Sequence, residues 1–247
     1  KDSLIEMTTS DLTRAISEVI IACATDDTRP VLSGIYFKFS KDSLHLVATD
    51  SYRLAEKKIE APGVDVEKEF IVPVRTMQEV LRIAGSVESA KKIAISATEN
   101  QVSFAIGGSQ IVSRLIEGAF PNYKQIIPTS FRSKADLELG ELISAVKMAA
   151  LFARQGANNI KIKFAPAGLV ITSVADQIGD NISHVPAQVT GDEVEIAFNA
   201  KYVLDILQVL TDKKVLFEVN DKASPGVIKS EKSKDYVYII MPLRVEE

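Results

Sequence analysis

Ser33-Gly34-Ile35-Tyr36-Phe37-Lys38-Phe39 and Asn158-Asn159-Ile160-Lys161-Ile162-Lys163-Phe164 are two renderings of one pattern. Large apolar residues alternate with others in both, as on a strand with one buried face. Each stretch is followed by a tight turn and an aliphatic run, Leu44-His45-Leu46-Val47 in the first case and Leu169-Val170-Ile171-Thr172 in the second. Phe70-Ile71-Val72-Pro73 then leads into a helix pattern, as does Ile196-Ala197-Phe198-Asn199, and Lys91-Lys92-Ile93 is answered by Lys213-Lys214-Val215. The period is too long for a solenoid. It reads as two tandem copies of one domain, residues 1–124 and 125–247, an organisation that tends to present surfaces rather than one catalytic cleft.

The rest of the composition agrees with two ordinary domains. The chain has 247 residues, 46% of them hydrophobic and 25% charged, and each copy is long enough to bury a core of its own. A net charge of −4 excludes a generally basic nucleic-acid binder, so any such contact must come from a local arrangement of cations. The longest apolar stretches, 19–24 and 236–243, are too short to cross a bilayer. Lys1 in place of an initiator Met, with no leader pattern ahead of the first helix, reads as a processed chain or a piece of a longer one. The one cysteine, Cys23, sits on an apolar stripe and allows no disulfide within the chain, which fits a reducing cytoplasm.

Along the chain, Ser10 or Thr9 can cap a helix carrying Leu12, Ala15, Ile16, Val19, Ile20 and Cys23 at helical spacing. The polar loop 25–29 follows. Strands are expected at 31–39, 44–49, 52–59 and 70–74, then a helix over 76–84 and strands at 92–97, 101–106 and 111–116. Segment 118–132, with Pro121 and Pro128, reads as a linker whose aromatic and aliphatic residues pack down. The second copy repeats the order: a strand at 135–139, a helix at 141–153, paired strands near 160–174 and 180–185, a helix at 200–210, and strands at 215–219, 227–230 and 236–241. Each copy is thus two helices on mostly antiparallel sheet, an α+β class with about seven strands.

The helices carry a charge pattern. Met77, Val80, Leu81 and Ala84 cluster on one side of their helix, and Arg75 and Arg82, two turns apart, share the opposite side. Lys147 and Arg154 stand in the same relation in the second copy. Arg14 and Lys201 occupy polar positions of the other two helices, and Arg29 lies in the loop after the first. For one helix, a solvated face is the ordinary explanation. Recurrence in both copies makes Arg14, Arg29, Arg75, Arg82, Lys147, Arg154 and Lys201 candidates for facing DNA. Their contacts to phosphates would be weak and sequence-independent.

Four segments stand in the order of a known family: Ala48-Thr49-Asp50-Ser51-Tyr52-Arg53-Leu54-Ala55, Phe120-Pro121-Asn122-Tyr123, Phe198-Asn199-Ala200-Lys201-Tyr202-Val203-Leu204, and Tyr238-Ile239-Ile240-Met241-Pro242-Leu243-Arg244. The chain closely resembles the bacterial sliding clamp, the beta subunit of DNA polymerase III. Members carry three copies of a clamp domain, and this sequence is similar to the second and third. The resemblance implies a cytoplasmic, non-catalytic processivity factor with no cofactor. It would tether the replicative polymerase to duplex DNA as a head-to-tail homodimer of full-length chains.

The resemblance also implies a pocket between the two copies for short linear peptides of the polymerase, the clamp loader and repair polymerases. Carried over by position, its walls are Leu32, Thr49, Ser51, Tyr52, Arg53 and Leu54, with Pro121 and Ile126 from the linker. The second copy adds Asn199, Tyr202, Ser224 and Pro225, and the chain end adds Ile239, Ile240, Met241, Pro242, Leu243 and Arg244. A terminal apolar strand with Met and Pro independently suits an adaptable groove. Tyr52, where the family often has His, and Gln125, where it often has a basic residue, imply altered peptide preference. The tail Val245-Glu246-Glu247 adds negative charge beside the groove. Leu151 and Phe152 would sit at the dimer contact, although Phe152 reads equally well as a core residue of its helix.

Catalytic constellations are not legible. Gly107-Gly108 joins two strands and precedes no helix, so it reads as a hairpin turn. His45 and His184 lie in strand patterns with no carboxylate partner nearby in sequence. Asp26 and Asp27 end a helix beside Arg29, where a polar turn is expected, and Asp50 suits a turn hydrogen bond. Two alternatives remain: a partner-binding fragment that displays the pocket without encircling DNA, and, more remotely, a nuclease using Asp26, Asp27 and Asp50.

Overall fold

The structure, a computed structural model, describes residues 4–26, 28–87, 89–154, 157–175, 179–231 and 233–244. The chain divides into two units, 1–122 and 123–247. Among the described residues the first unit runs β1 (Leu4–Thr8), α1 (Thr9–Ile20), β2 (Gly34–Ser40), β3 (Ser43–Thr49), β4 (Arg53–Glu60), β5 (Lys68–Pro73), α2 (Val74–Ser86), β6 (Lys92–Ala97), β7 (Gln101–Ile106) and β8 (Ser109–Arg114). The second runs β9 (Ser133–Glu138), α3 (Leu139–Ala153), β10 (Asn159–Ala165), β11 (Gly168–Ala175), β12 (Gly179–Val185), β13 (Ala187–Gly191), β14 (Val194–Asn199), α4 (Ala200–Val209), β15 (Lys214–Val219), β16 (Gly226–Ser230) and β17 (Tyr236–Ile240).

Within the first unit the strands order as β1-β6-β7-β8 and β4-β3-β2-β5, and within the second as β12-β11-β10-β14 and β13-β9-β15-β16-β17. Strand pairs inside each unit are antiparallel. The duplication is visible strand for strand. A helix follows β1 and β9, whose neighbours are β6 and β15; a second helix follows β5 and β14, which flank β2 and β10. Among the described residues, β13 alone has no counterpart in the first unit.

Each core lies where the two sheets of a unit meet. Phe37 of β2 stacks on Phe70 with ring centroids 5.5 Å apart and reaches Phe104 of β7, on the other sheet, at 6.3 Å. In the second unit Phe217 of β15 meets Phe164 of β10 edge-on at 5.4 Å and Phe198 of β14 at 5.6 Å. Leu12, Ala15, Ile16 and Val19 form the buried stripe of α1, and α1 packs on β3, β4 and α2, as α3 packs on β10, β11, β12 and α4.

Several local expectations are corrected. The cap of α1 is Thr8, whose hydroxyl accepts from the Asp11 amide at 3.4 Å, rather than Thr9 or Ser10. The segment 31–39 opens as a 3₁₀ turn, Pro30–Leu32, because Pro30 supplies no donor to a ladder. Among the described residues the units hold eight and nine strands instead of about seven, since β1, β13 and β14 were not among the expected strands. In the linker Phe120 stacks on Tyr36 at 4.8 Å and 8°, and Tyr123 is buried.

Cys23 lies beyond the end of α1, its amide donating to the Ile20 carbonyl at 3.2 Å, and it is buried. Burial pushes its thiol up to about 12. A raised value keeps the thiol protonated at pH 8, and the thiolate is the reactive form. A disulfide reagent at pH 8 is therefore expected to titrate Cys23 only after unfolding. Fast stoichiometric reaction with the native chain would contradict this.

Candidate functional site

The link between β3 and β4 is closed by its own side chains. Thr49 donates its hydroxyl to the Arg53 carbonyl at 2.7 Å and accepts from the Ser51 amide at 3.1 Å. Asp50 accepts the Tyr52 and Arg53 amides at 2.9 and 3.0 Å through one carboxylate oxygen, and Arg53 Nε at 2.9 Å through the other. The Asp50 amide donates to the Arg53 carbonyl at 3.3 Å. Ser51, at φ 79, sits in the left-handed region, which an L side chain adopts only when its surroundings hold it there. Arg53, Leu54, Thr49 and Leu32 are buried, whereas Tyr52 is 59% exposed.

Arg29 differs from the helix cations. Its guanidinium donates to the Ser51 hydroxyl at 2.6 Å, so it stands at this turn and not on a helix face. Pro121 is exposed, as is Ile126, which ends the 3₁₀ turn Tyr123–Ile126.

In the second unit, Asn199 caps α4 by accepting the Lys201 and Tyr202 amides at 2.9 and 3.4 Å. The Tyr238 hydroxyl donates to the Tyr202 carbonyl at 3.0 Å, joining β17 to α4. Leu243 donates its amide to the Ala197 carbonyl at 2.8 Å, which folds the chain end back along β14. Ile239 and Ile240 are buried; Tyr202, Ser224, Pro225, Met241, Pro242 and Leu243 are half-buried, and Arg244 is exposed. Asp221 organises the Ser224 turn, its carboxyl held below the usual range by hydrogen bonds from the Ala223 amide and the Ser224 hydroxyl. The tail Val245-Glu246-Glu247 lies outside the described residues.

Of the cations, Arg14, Arg75, Arg82, Lys147, Arg154 and Lys201 are all exposed. Arg14 pairs with Glu18 at 3.0 Å, Arg82 with Glu79 at 2.5 Å, and Lys201 with Asp205 at 3.1 Å. The Arg82–Glu79 pair is exposed on both sides, and such a pair is weak, whereas the Glu18 that holds Arg14 is buried. On α3, Leu151 is exposed and Phe152 half-buried. Three apolar residues that sequence reasoning missed are exposed nearby in the chain: Met148 on α3, Val174 on β11 and Ile182 on β12. Met148 had a sequence signal, since it falls off the buried stripe Leu142, Val146, Ala149 and Ala153. Ile182 pairs with Thr172, so it shares a sheet face with Val174.

His45 does have a carboxylate partner. Glu56 comes to its Nδ1 at 2.9 Å from the neighbouring strand, a cross-strand contact that linear spacing hides. Asp26 accepts from the Thr28 amide at 3.1 Å, and Thr28 holds its carboxyl low; Asp27 lies outside the described residues. Among the described residues no group of three metal-capable side chains occurs. No helix described is long and apolar enough to cross a membrane. Gly107 and Gly108, at φ 53 and 101, form the turn between β7 and β8.

Duplicated α+β units of antiparallel sheet with paired helices define tandem clamp domains. The family model of the DNA polymerase III beta subunit central domain matches residues 6–122, and that of its C-terminal domain matches residues 124–244. A beta sliding clamp of Staphylococcus aureus is 31% identical over 246 residues, covering 99% of this chain and 65% of that relative. The solved DNA polymerase sliding clamp of Bacillus subtilis aligns with a TM-score of 0.94 at 28% identity, over 100% of this chain and 65% of that one. The DNA polymerase III beta subunit of Thermotoga maritima gives 0.93 at 27%, over 98% and 66%. The chain therefore belongs to the DNA polymerase III beta-subunit family, carrying its central and C-terminal domains in order. It spans 65% of the length of the curated relatives it matches.

Proposed function

We propose that this chain is the central and C-terminal part of a DNA sliding clamp, a non-catalytic, cytoplasmic processivity factor that holds a replicative polymerase on duplex DNA. The carrying observation is the tandem match of both domains over nearly the whole chain, in a sequence similar to proteins named beta sliding clamp. Tethering acts by raising the local concentration of the polymerase at its template. The exposed cations Arg14, Arg75, Arg82, Lys147, Arg154 and Lys201 support weak contacts to phosphates that permit sliding. The exposed apolar side chains Met148, Leu151, Val174 and Ile182 support a protein contact, which we assign, with Phe152, to the head-to-tail homodimer of full-length chains.

Peptide docking is assigned to both units. The first supplies Leu32, Thr49, Ser51, Tyr52, Arg53, Leu54 and Pro121. The second supplies Ile126, Asn199, Tyr202, Ser224, Pro225 and residues 239–244. The occupants are short segments of the polymerase, the clamp loader and repair polymerases. A fluorescent peptide of the form Gln-x-x-Leu-Phe is expected to bind with a Kd on the order of micromolar. Met241→Ala is expected to weaken it about tenfold by removing an adaptable apolar wall. Absence of saturable binding to the folded chain defeats the docking assignment.

A further inference from the structure

We propose that Asp50, which the docking assignment does not include, is the positioning residue that presets the Tyr52 wall of the peptide site. The proposal rests on the docking reading of the β3–β4 turn. The connection Asp50-Ser51-Tyr52 is too short to hold a shape by packing, and its middle residue is in a conformation that serine avoids when free. Three of the hydrogen bonds that close it end on the Asp50 carboxylate. The Arg53 guanidinium is buried against that carboxylate and fixes it in turn, with side chains only 5% and 13% exposed.

The outcome is an aromatic ring held in water. Tyr52 is prevented from folding back, because both amides that would have to rotate, its own and that of Arg53, are bound to Asp50. An exposed ring on a turn fixed in advance costs a ligand little ordering entropy. Without the clasp Ser51 relaxes toward extended backbone, and only a fraction of molecules present the wall. Apparent affinity then falls by that fraction, through slower association, while a peptide once bound keeps all its contacts and leaves at the same rate. A residue touching the peptide would do the opposite and speed dissociation.

The test is biolayer interferometry of an immobilised Gln-x-x-Leu-Phe peptide against the chain, Asp50→Ala and Asp50→Asn, with amide exchange read by mass spectrometry. Asp50→Ala is expected to associate about tenfold more slowly at unchanged dissociation rate. Tyr52 and Arg53 amides should exchange faster while β2 and β6 stay protected. Asp50→Asn keeps an oxygen for both amides but loses the charge facing Arg53, and should associate about threefold more slowly. It carries the test if the alanine variant does not fold. Wild-type association rates in these variants, or a loss seen in dissociation, overturn the positioning role while leaving the docking reading intact. A wild-type chain that does not bind the peptide overturns both.

Discussion

Phe37→Ala is expected to destabilise the first unit by about 3–5 kcal/mol, the range for truncating a fully buried aromatic ring. Phe37 has no exposed surface and is one of the side chains through which the two sheets of that unit meet, its ring against Phe70 on one and Phe104 on the other. Its backbone is paired on both sides, with Leu46 and with Phe70, so the strand cannot shift to refill the space. The cavity therefore persists, and the lost ring contacts add to the lost burial. Hydrogen exchange resolved by peptide separates the units: protection should fall over β2, β3, β6 and β7 and hold over β10 and β15. Phe37→Leu, which conserves most of the volume, should cost less than about 1.5 kcal/mol. Equal losses for the two variants would place the effect elsewhere than in the cavity.

Gly191→Ala is expected to disable the second unit by a different route, backbone collision. Gly191 ends β13 at φ 99, opposite Ser133. A Cβ there would stand 1.8 Å from the Arg132 carbonyl oxygen, 2.8 Å from its carbon and 2.9 Å from the Ser133 Cα. None of these atoms can rotate away, and the Ser133 hydroxyl pins the following residue through the Asp192 carbonyl at 2.6 Å. Left-handed strain of about 1–2 kcal/mol adds to the steric term, so a total of at least about 3 kcal/mol is expected. Gly63→Ala is the control, since Gly63 shares the positive φ, at 80, but a Cβ there meets nothing within 4 Å. Urea unfolding should show a large loss for the first variant and a small one for the second. A small loss at Gly191 would mean β13 can leave β9 without consequence.

The contrast between legible and hidden elements has a physical pattern. Strands β2 and β10 are legible because alternate side chains meet a core, and α1 because its stripe recurs every turn. β1 offers only Ile5 and Met7 to the interior of a five-residue strand, and β13 is half polar, so neither has enough buried positions to signal. Thr8, Thr9 and Ser10 are chemically equivalent caps, and only the backbone distinguishes them. Of the site, the Asp50 turn is readable as a turn. That it holds an aromatic ring outward is not, because exposure of Tyr52 is a property of the folded surface. The His45–Glu56 contact and the outward Val174 and Ile182 are hidden for the same reason.

The pairing of β1 with β6 and of β9 with β15 also governs how each unit assembles. The runs β2-β3-β4, β6-β7-β8, β10-β11-β12 and β15-β16-β17 are meanders of sequential neighbours, which close short loops at little entropic cost. β1 and β9 must instead find partners far along the chain, and α1 and α3 are threaded between the two ends of that search. Sequence separation is therefore greatest in the β1–β6 and β9–β15 ladders, ahead of β9–β13, β2–β5 and β10–β14, and the homecoming of the first strand is expected to weigh most on the folding rate of each domain.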